Sequence, residues 1–290
     1  MGDNRSEPPQ PRPGRALAHT PGVSGSGSPH RSDSRSPQTP RGGRRSGPVG
    51  RPGTTPPVPG RPTSSPPLRS RLRLLGLLGF SALLLALITW QVVADGPLLR
   101  LDERVDAALL HPDRPSELLS DLGNVQIAIP VLVTVLGLVA LRGRSSGTDH
   151  WWLPPLAGAV PMALVPALVV PLKVWTDRQG TPAVPPATGY FPSGHTATAA
   201  VAYGAATLLL LPHLRTPAAR RALCCGCAAL VLAVSYGLVR RGYHWPLDVV
   251  ASWCLATMLL TLTALALGRI DRTGRGRGAG RRDAATGQPK

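Results

Sequence analysis

The sequence predicts an all-α fold: a six-span transmembrane helix bundle with disordered basic N- and C-terminal tails. Six apolar runs, rich in Leu, Val and Ala, lie in the middle of the chain, and each is close to the roughly 20 residues that a bilayer requires. Both ends are rich in Pro, Gly, Ser and Arg instead. Composition therefore divides the chain into a disordered tail at 1–73, a membrane domain at 74–268 and a second disordered tail at 269–290.

The two tails carry most of the positive charge. The chain has 32 Lys and Arg against 15 Asp and Glu, a formal net charge of +17. Few large apolar side chains accompany the tail arginines, so the tails cannot bury a core. Basic segments beside membrane spans favour contact with anionic lipid, and the lack of interleaved aromatic residues argues against a nucleic-acid partner.

The first span is predicted at about 74–94, directly after Arg69, Arg71 and Arg73. The segment 95–123 that follows is polar, but leucine and valine recur in it at helical spacing. This pattern predicts a short amphipathic helix on the membrane surface.

The second and third spans are predicted at about 125–141 and 153–172. Trp151 and Trp152 precede the third span, as is typical of an interfacial aromatic belt. The third span also contains several prolines, which predict an irregular helix supported by its neighbours.

The last three spans are predicted at about 193–211, 222–239 and 247–267. Pro192 and Ser193 predict the start of the fourth, with proline in the first turn and serine as the cap.

Six spans place both tails on the same side of the membrane. If that side is the cytoplasm, 25 of the 32 Lys and Arg face it, in agreement with the positive-inside rule. We therefore expect a multi-pass cell-membrane protein with cytoplasmic tails and with the loops near Lys173, His195 and His244 on the extracytoplasmic side.

The start of the fourth span predicts an anion site. Gly194 has no Cβ to block a ligand, and the free N–H groups of a helix start attract phosphate. His195 beside it can donate or accept a proton near neutral pH.

The outward loops also carry the groups that phosphoryl transfer requires. Lys173 and Arg178 are cations for phosphate oxygens, and the histidines provide a nucleophile and an acid. His244 and Asp248 are four residues apart, so on a helix the carboxylate can fix the imidazole tautomer and leave the other nitrogen free to attack. Single ionisable groups at span ends are often only membrane anchors. The four cysteines fit no zinc spacing.

Taken in order, these motifs resemble the three-part signature of the type 2 phosphatidic acid phosphatase superfamily, which includes vanadium haloperoxidases and bacterial undecaprenyl pyrophosphate phosphatases. The resemblance covers about residues 74–268. The motifs that carry it are Lys173…Arg178, Pro192-Ser193-Gly194-His195 and Gly242-Tyr243-His244-Trp245-Pro246-x-Asp248.

The resemblance implies a role for each matching residue. His244 would form a phosphohistidine, Asp248 would orient it, and His195 would protonate the leaving group. No metal and no cofactor would be required. The implied phosphate-binding residues are Lys173, Arg178, Ser193 and Gly194.

The chain departs from the family pattern at two arginines. The first motif usually closes with an Arg-Pro pair, but here Arg178 is followed by Gln179-Gly180-Thr181-Pro182. In the third motif, Leu238 stands where an arginine is usual. Arg241 is three residues after Leu238, about 60° round a helix and about 4.5 Å along it. We therefore expect Arg241 to replace the missing arginine in phosphate binding, with Arg240 as the second choice.

Two functions follow from these observations. The first is a metal-independent membrane phosphatase that hydrolyses a lipid phosphate or pyrophosphate at the outer leaflet through a phosphohistidine. The alternative is a non-catalytic binder or transporter of phosphorylated lipid. The loss of two family arginines favours the alternative, whereas both histidines and the aspartate favour the enzyme, because a binder has no use for an oriented nucleophile.

Overall fold

The computed structural model describes residues 68–286, with side chains from 69 to 272. The regular secondary structure in this part of the chain is entirely helical, and loops connect the helices. It contains eight helices, with a short 3₁₀ turn at Leu211–His213. The helices are α1 (Leu68–Val93), α2 (Leu98–Leu109), α3 (Arg114–Asp121), α4 (Val125–Ser145), α5 (Leu153–Thr176), α6 (Gly194–Leu210), α7 (Pro217–Arg240) and α8 (Pro246–Thr286). The predicted fold class is confirmed.

Six of the described helices, α1 and α4 to α8, are long and apolar enough to cross a membrane. Their positions agree with the six predicted spans to within a few residues at most ends. Large apolar side chains such as Phe80, Leu83 and Trp90 lie exposed on their outer faces, where a bilayer would cover them. The chain is thus a multi-pass membrane protein.

The first and last helices of the chain are longer than predicted. Helix α1 begins at Leu68 instead of 74, and the backbone of α8 continues to Thr286 instead of ending near 267. Arginine is a good helix former, and extending an existing helix adds one hydrogen bond for each residue that is fixed. The predicted disorder of 1–67 and 287–290 lies outside the described residues.

The polar segment between the first two spans forms two helices, where one was predicted. Asp113 caps α3: its side chain accepts a hydrogen bond from the Ser116 N–H at 2.8 Å, and the Ser116 hydroxyl accepts from the Asp113 N–H at 3.2 Å. The hydrogen bonds from Ser116, with a further one from Arg240, lower the pKa of Asp113 to about 2. This cap separates α3 from α2.

Helix α2 lies with its acidic face toward the protein. Asp102 and Asp106, about one helical turn apart, are buried, whereas Leu101, the residue before Asp102, is exposed. The amphipathic pattern of α2 is therefore real, and its polar face supplies two carboxylates to the interior.

Helix α6 is the central helix of the bundle and packs against α4, α5, α7 and α8. It is built mainly from Ala, Gly and Thr, and small residues let membrane helices approach closely. At Gly204 an added Cβ would overlap the side chain of Leu260 on α8. The Tyr203 hydroxyl donates to the Leu122 carbonyl at 2.5 Å, which ties α6 to the segment after α3.

Helix α5 runs without a break through three internal prolines, Pro161, Pro166 and Pro171. Helix α5 is therefore continuous, whereas the sequence predicted an irregular helix. Neighbouring helices α4 and α6 pack against it, which is where such a span is tolerated in a membrane.

Candidate active site

The start of α6 is fixed by Ser193. Its hydroxyl accepts a hydrogen bond from the Thr196 N–H at 3.3 Å, so it is the predicted cap. Pro192 lies before the cap, after a cis peptide bond with Phe191, so its predicted place in the first turn is wrong. Ser193 is fully buried, and Gly194 is the first helical residue at the cavity described below.

The turn between α7 and α8 brings His244 to Asp248. Helix α7 ends at Arg240, and Gly242 reverses the chain with φ of +70°, a left-handed conformation that favours glycine. Helix α8 then begins at Pro246. As predicted from their spacing, the His244 Nδ1 and the Asp248 Oδ2 lie 3.2 Å apart.

The Asp248 carboxylate is completely buried and hydrogen-bonded on both oxygens. Oδ2 accepts from the Trp245 N–H at 3.2 Å as well as from His244, and Oδ1 accepts from Arg178 Nη1 at 2.6 Å. Because a carboxylate can only accept, the facing Nδ1 carries the ring proton, and the other imidazole nitrogen has a free lone pair. In this arrangement the second imidazole nitrogen of His244 can act as a nucleophile.

His244 and His195 line one cavity of about 960 Å³. The centroids of their two rings are 6.4 Å apart. Reacting atoms in a productive complex are about 3–3.5 Å apart, so this separation leaves room for a phosphoryl group between the two rings.

Lys173 is the cation that lines the polar end of this cavity. Its Nζ donates to the Gly189 carbonyl at 2.7 Å and lies 3.5 Å from the Tyr190 carbonyl. An ammonium group has three N–H donors, so one donor of Lys173 is still able to bind a ligand. Tyr190, which sequence reasoning did not select, packs edge-on against His244 with ring centroids 5.7 Å apart.

Below its polar end the same cavity is an apolar groove. Its walls come from α4, α5 and α6, and they extend along α5 from Ala159 to Lys173, about 20 Å of helix. The apolar lining residues are Ile129, Leu132, Val133, Leu136, Met162, Val165, Val169 and Val170.

The structure gives Arg178 partners other than a phosphate site. It lies outside the lining of the histidine cavity, and both terminal nitrogens donate to buried carboxylates, Nη1 to Asp248 and Nη2 to Asp102 at 2.5 Å. Its guanidinium also lies over the Trp245 ring, 5.4 Å from the centroid. Arg178 therefore stands behind the Asp248–His244 pair.

Arg241 does not take the place that we expected for it. Arg241 is the C-cap of α7, one residue beyond the last helical residue. The helical geometry that we used to relate its side chain to the position of Leu238 therefore does not apply. Its Nη2 donates to the Tyr243 hydroxyl at 3.1 Å and lies 4.0 Å from Glu117 on α3. Arg240 pairs with Asp113 at 2.9 Å and likewise lies outside the lining of the cavity.

The two carboxylates of α2 were missed as site residues. Burial raises the pKa of Asp102, an effect opposed by its hydrogen bond with Arg178. Burial, followed by the charge of Asp102, raises the pKa of Asp106 to about 6. The sequence carried a partial signal, since two aspartates four residues apart share one face of α2.

The site region is similar in sequence to a known family. Residues 168–272 match the PAP2 superfamily. The predicted resemblance is thereby confirmed, and the matched segment contains Lys173, His195, His244 and Asp248. Helix α2 lies outside it.

The fold agrees with a solved transmembrane structure. A transmembrane PAP2 type phosphatidylglycerolphosphate phosphatase from Bacillus subtilis superposes with a TM-score of 0.54 at 21% identity, covering 69% of this chain and 96% of that one. At this identity the likeness shows the fold alone. No curated protein matches the chain. Among the residues with described side chains, no three His, Cys, Asp or Glu are placed to hold a metal ion.

Proposed function

We propose that this protein is a membrane phosphatase that hydrolyses a lipid phosphate or pyrophosphate through a phosphohistidine on His244. The observation that carries this proposal is the pairing of His244 with Asp248 at a cavity shared with His195. A protein that only binds or transports phosphorylated lipid has no need of a nucleophile held by a buried carboxylate. The PAP2 superfamily match supports the same conclusion.

The reaction has two steps. In the first, His244 Nε2 forms a bond to phosphorus while the bond from phosphorus to the leaving oxygen breaks, and His195 gives that oxygen a proton. In the second, water attacks the phosphohistidine, His195 takes a proton from the water, and inorganic phosphate leaves as the P–N bond breaks. Asp248 stabilises the imidazolium that develops on His244.

Phosphate oxygens meet donors from two sources. The first N–H groups of α6, at Gly194 and His195, have no acceptor within the helix and stand at the positive end of its dipole. Lys173 adds a charge from α5 at the same end of the cavity. Of the phosphate-binding residues expected from the sequence, this set keeps Lys173 and Gly194 and leaves out Arg178 and Arg241.

The apolar groove supports a lipid as the substrate class. Its length of about 20 Å along α5 is comparable to the depth of one leaflet, since the hydrocarbon core of a bilayer is about 30 Å thick. A lipid tail leaves surroundings as apolar as the groove, so the groove selects by shape and contributes little net hydrophobic free energy. With the polar end at the outer surface, the headgroup reaches the histidines while the tail stays at membrane depth.

The distribution of Lys and Arg indicates the side of the membrane on which the polar end of the cavity lies. The residues near His195 and His244 lie at the opposite end of the bundle from Arg142 and Arg144, which follow the second span. Positive residues concentrate on the cytoplasmic side, so the active site faces the extracytoplasmic side in this proposal.

The test is phosphate release by purified protein in detergent containing a chelator. The substrates are a lipid monophosphate, a lipid pyrophosphate and a water-soluble phosphate ester. Wild-type protein should release phosphate from at least one lipid, and His244→Ala should abolish release. His195→Ala should slow a monoester on the order of 10²–10⁴-fold, because its alkoxide leaves poorly without a proton, and should slow a pyrophosphate much less.

The matched control is His111→Ala, which removes an exposed histidine from the loop between α2 and α3 and should leave activity unchanged. Wild-type protein quenched in alkaline detergent should carry phosphate on histidine that acid then releases, and His244→Ala should carry none. Inactivity of the wild type on every lipid, with phosphorylated lipid still bound equally by His244→Ala, would favour the binder instead.

A further inference from the structure

Three buried side chains form a chain of ion pairs that ends at the nucleophile. Asp102 Oδ2 accepts from Arg178 Nη2 at 2.5 Å, and Arg178 Nη1 donates to Asp248 Oδ1 at 2.6 Å. Asp248 Oδ2 then accepts from His244 Nδ1 at 3.2 Å. The side chains of Asp102 and Asp248 are 0% exposed, and that of Arg178 is 8% exposed.

Asp102 also holds the start of the helix that carries Asp248. Its other oxygen, Oδ1, accepts from the Leu247 N–H at 2.8 Å, and Leu247 directly precedes Asp248 on α8. One carboxylate on α2 therefore reaches Asp248 twice, through the guanidinium of Arg178 and through the backbone.

We propose that Asp102 is a positioning residue of the active site, which holds Arg178 against Asp248 so that Arg178 aligns the nucleophilic pair instead of binding phosphate. This inference rests on the proposed phosphatase function and adds to it a residue outside the segment that matches the family. The planar fork of a guanidinium bridges two carboxylates in fixed directions, which a point charge cannot do.

The energetics oppose a switch of Arg178 to phosphate. To reach the histidine cavity, Arg178 would have to leave two fully buried carboxylates, and a buried charge without its partner is strongly destabilising. Two carboxylates also share one guanidinium, so a surplus negative charge remains behind His244. That surplus favours the imidazolium that develops as His244 attacks phosphorus.

The experiment measures kcat and KM for lipid phosphate hydrolysis by Asp102→Asn and Arg178→Lys. Asp102→Asn keeps an oxygen for the Leu247 N–H and removes the ion pair. We expect kcat to fall about 10–100-fold, the range found for outer partners that orient a reactive ligand. KM and the inhibition constant of inorganic phosphate should stay within about threefold, because no substrate contact is lost. Glu103→Gln, the same chemical change on the exposed face of α2, is the control and should behave as wild type.

A double-mutant cycle separates positioning from a purely structural role. If Asp102 acts through Asp248, adding Asp102→Asn to Asp248→Asn should cost little further activity, since coupled groups are not additive. Independent, additive losses would overturn the proposal, and so would a large rise in KM or in the phosphate inhibition constant of Arg178→Lys. Should Asp102→Asn fail to fold, the same cycle with Arg178→Lys and Asp248→Asn decides the matter.

The two proposals fail in different ways. An active wild type with Asp102→Asn and Arg178→Lys both at wild-type kcat would overturn the positioning role alone. A wild type inactive on all three substrates would overturn the proposed function, and the positioning role with it.

Discussion

Gly194→Ala tests whether phosphate approaches the start of α6. A Cβ built at Gly194 meets no heavy atom within 4 Å, and the residue lines the histidine cavity. Its φ is not positive, so alanine fits the backbone. The added methyl group therefore has nothing in the protein to clash with, and its only effect is to occupy space beside the helix N–H groups.

The expected magnitudes differ for folding and for catalysis. Replacing glycine by alanine at a compatible position stabilises by about 0.4–1 kcal/mol. For a domain of about 200 residues this corresponds to a rise in Tm of at most about 4 °C. If the methyl group displaces the phosphoryl group from one backbone donor, kcat should fall about 10²–10³-fold, the cost of losing one oxyanion-type hydrogen bond.

The assay combines a melting curve in detergent with kcat for the lipid substrate that wild type turns over. Gly137→Ala on α4 is the matched control, because Gly137 also has free space around its position and lies outside the lining of the cavity. It should raise Tm slightly and leave kcat unchanged. A Gly194→Ala protein with wild-type Tm and more than about a third of wild-type kcat would refute phosphate binding at this helix start.

Two further predictions concern pH and topology. Asp106, with its pKa raised from 3.8 to about 6 in the folded protein, binds a proton more tightly folded than unfolded, so it destabilises the fold increasingly as pH rises from about 4 to about 6 and fully above that. Asp106→Asn should therefore increase the free energy of unfolding at pH 8, by at most about 3 kcal/mol, and so raise the melting temperature there. At pH 3.5 the substitution should change neither quantity. An equal gain at both pH values would contradict this sign. For topology, with the native cysteines replaced, a cysteine at Ala187 should react with an impermeant thiol reagent in intact cells and one at Thr273 should not. The reverse pattern would put the active face in the cytoplasm.

The sequence predicted most of the fold and the contact between His244 and Asp248, because those features depend on local spacing. Span positions follow from the length of apolar runs, and the four-residue interval from His244 to Asp248 determines their contact on a helix start. The cap at Ser193 was also readable, since serine before an apolar run is a common helix start.

The partners of the arginines could not be predicted, because they depend on contacts distant in sequence. Arg178 meets Asp102 across 76 positions and Asp248 across 70. Arg241 was assigned by helical geometry, yet α7 ends one residue before it. Neither the end of that helix nor the inward face of α2 follows from periodicity alone.

The loss of the third-motif arginine is explained by where Leu238 lies. It is 1% exposed and packs in the apolar cluster with Val234 and Tyr203, between α6 and α7. A guanidinium there would be a buried charge and would need a buried acidic partner, which this cluster of apolar residues does not supply. The position is therefore part of the core, and in the proposed mechanism Lys173 and the start of α6 bind the phosphate. With fewer cations on the substrate side and a surplus carboxylate behind His244, the proposed mechanism depends more on the alignment of His244 than on positive charge around the phosphate.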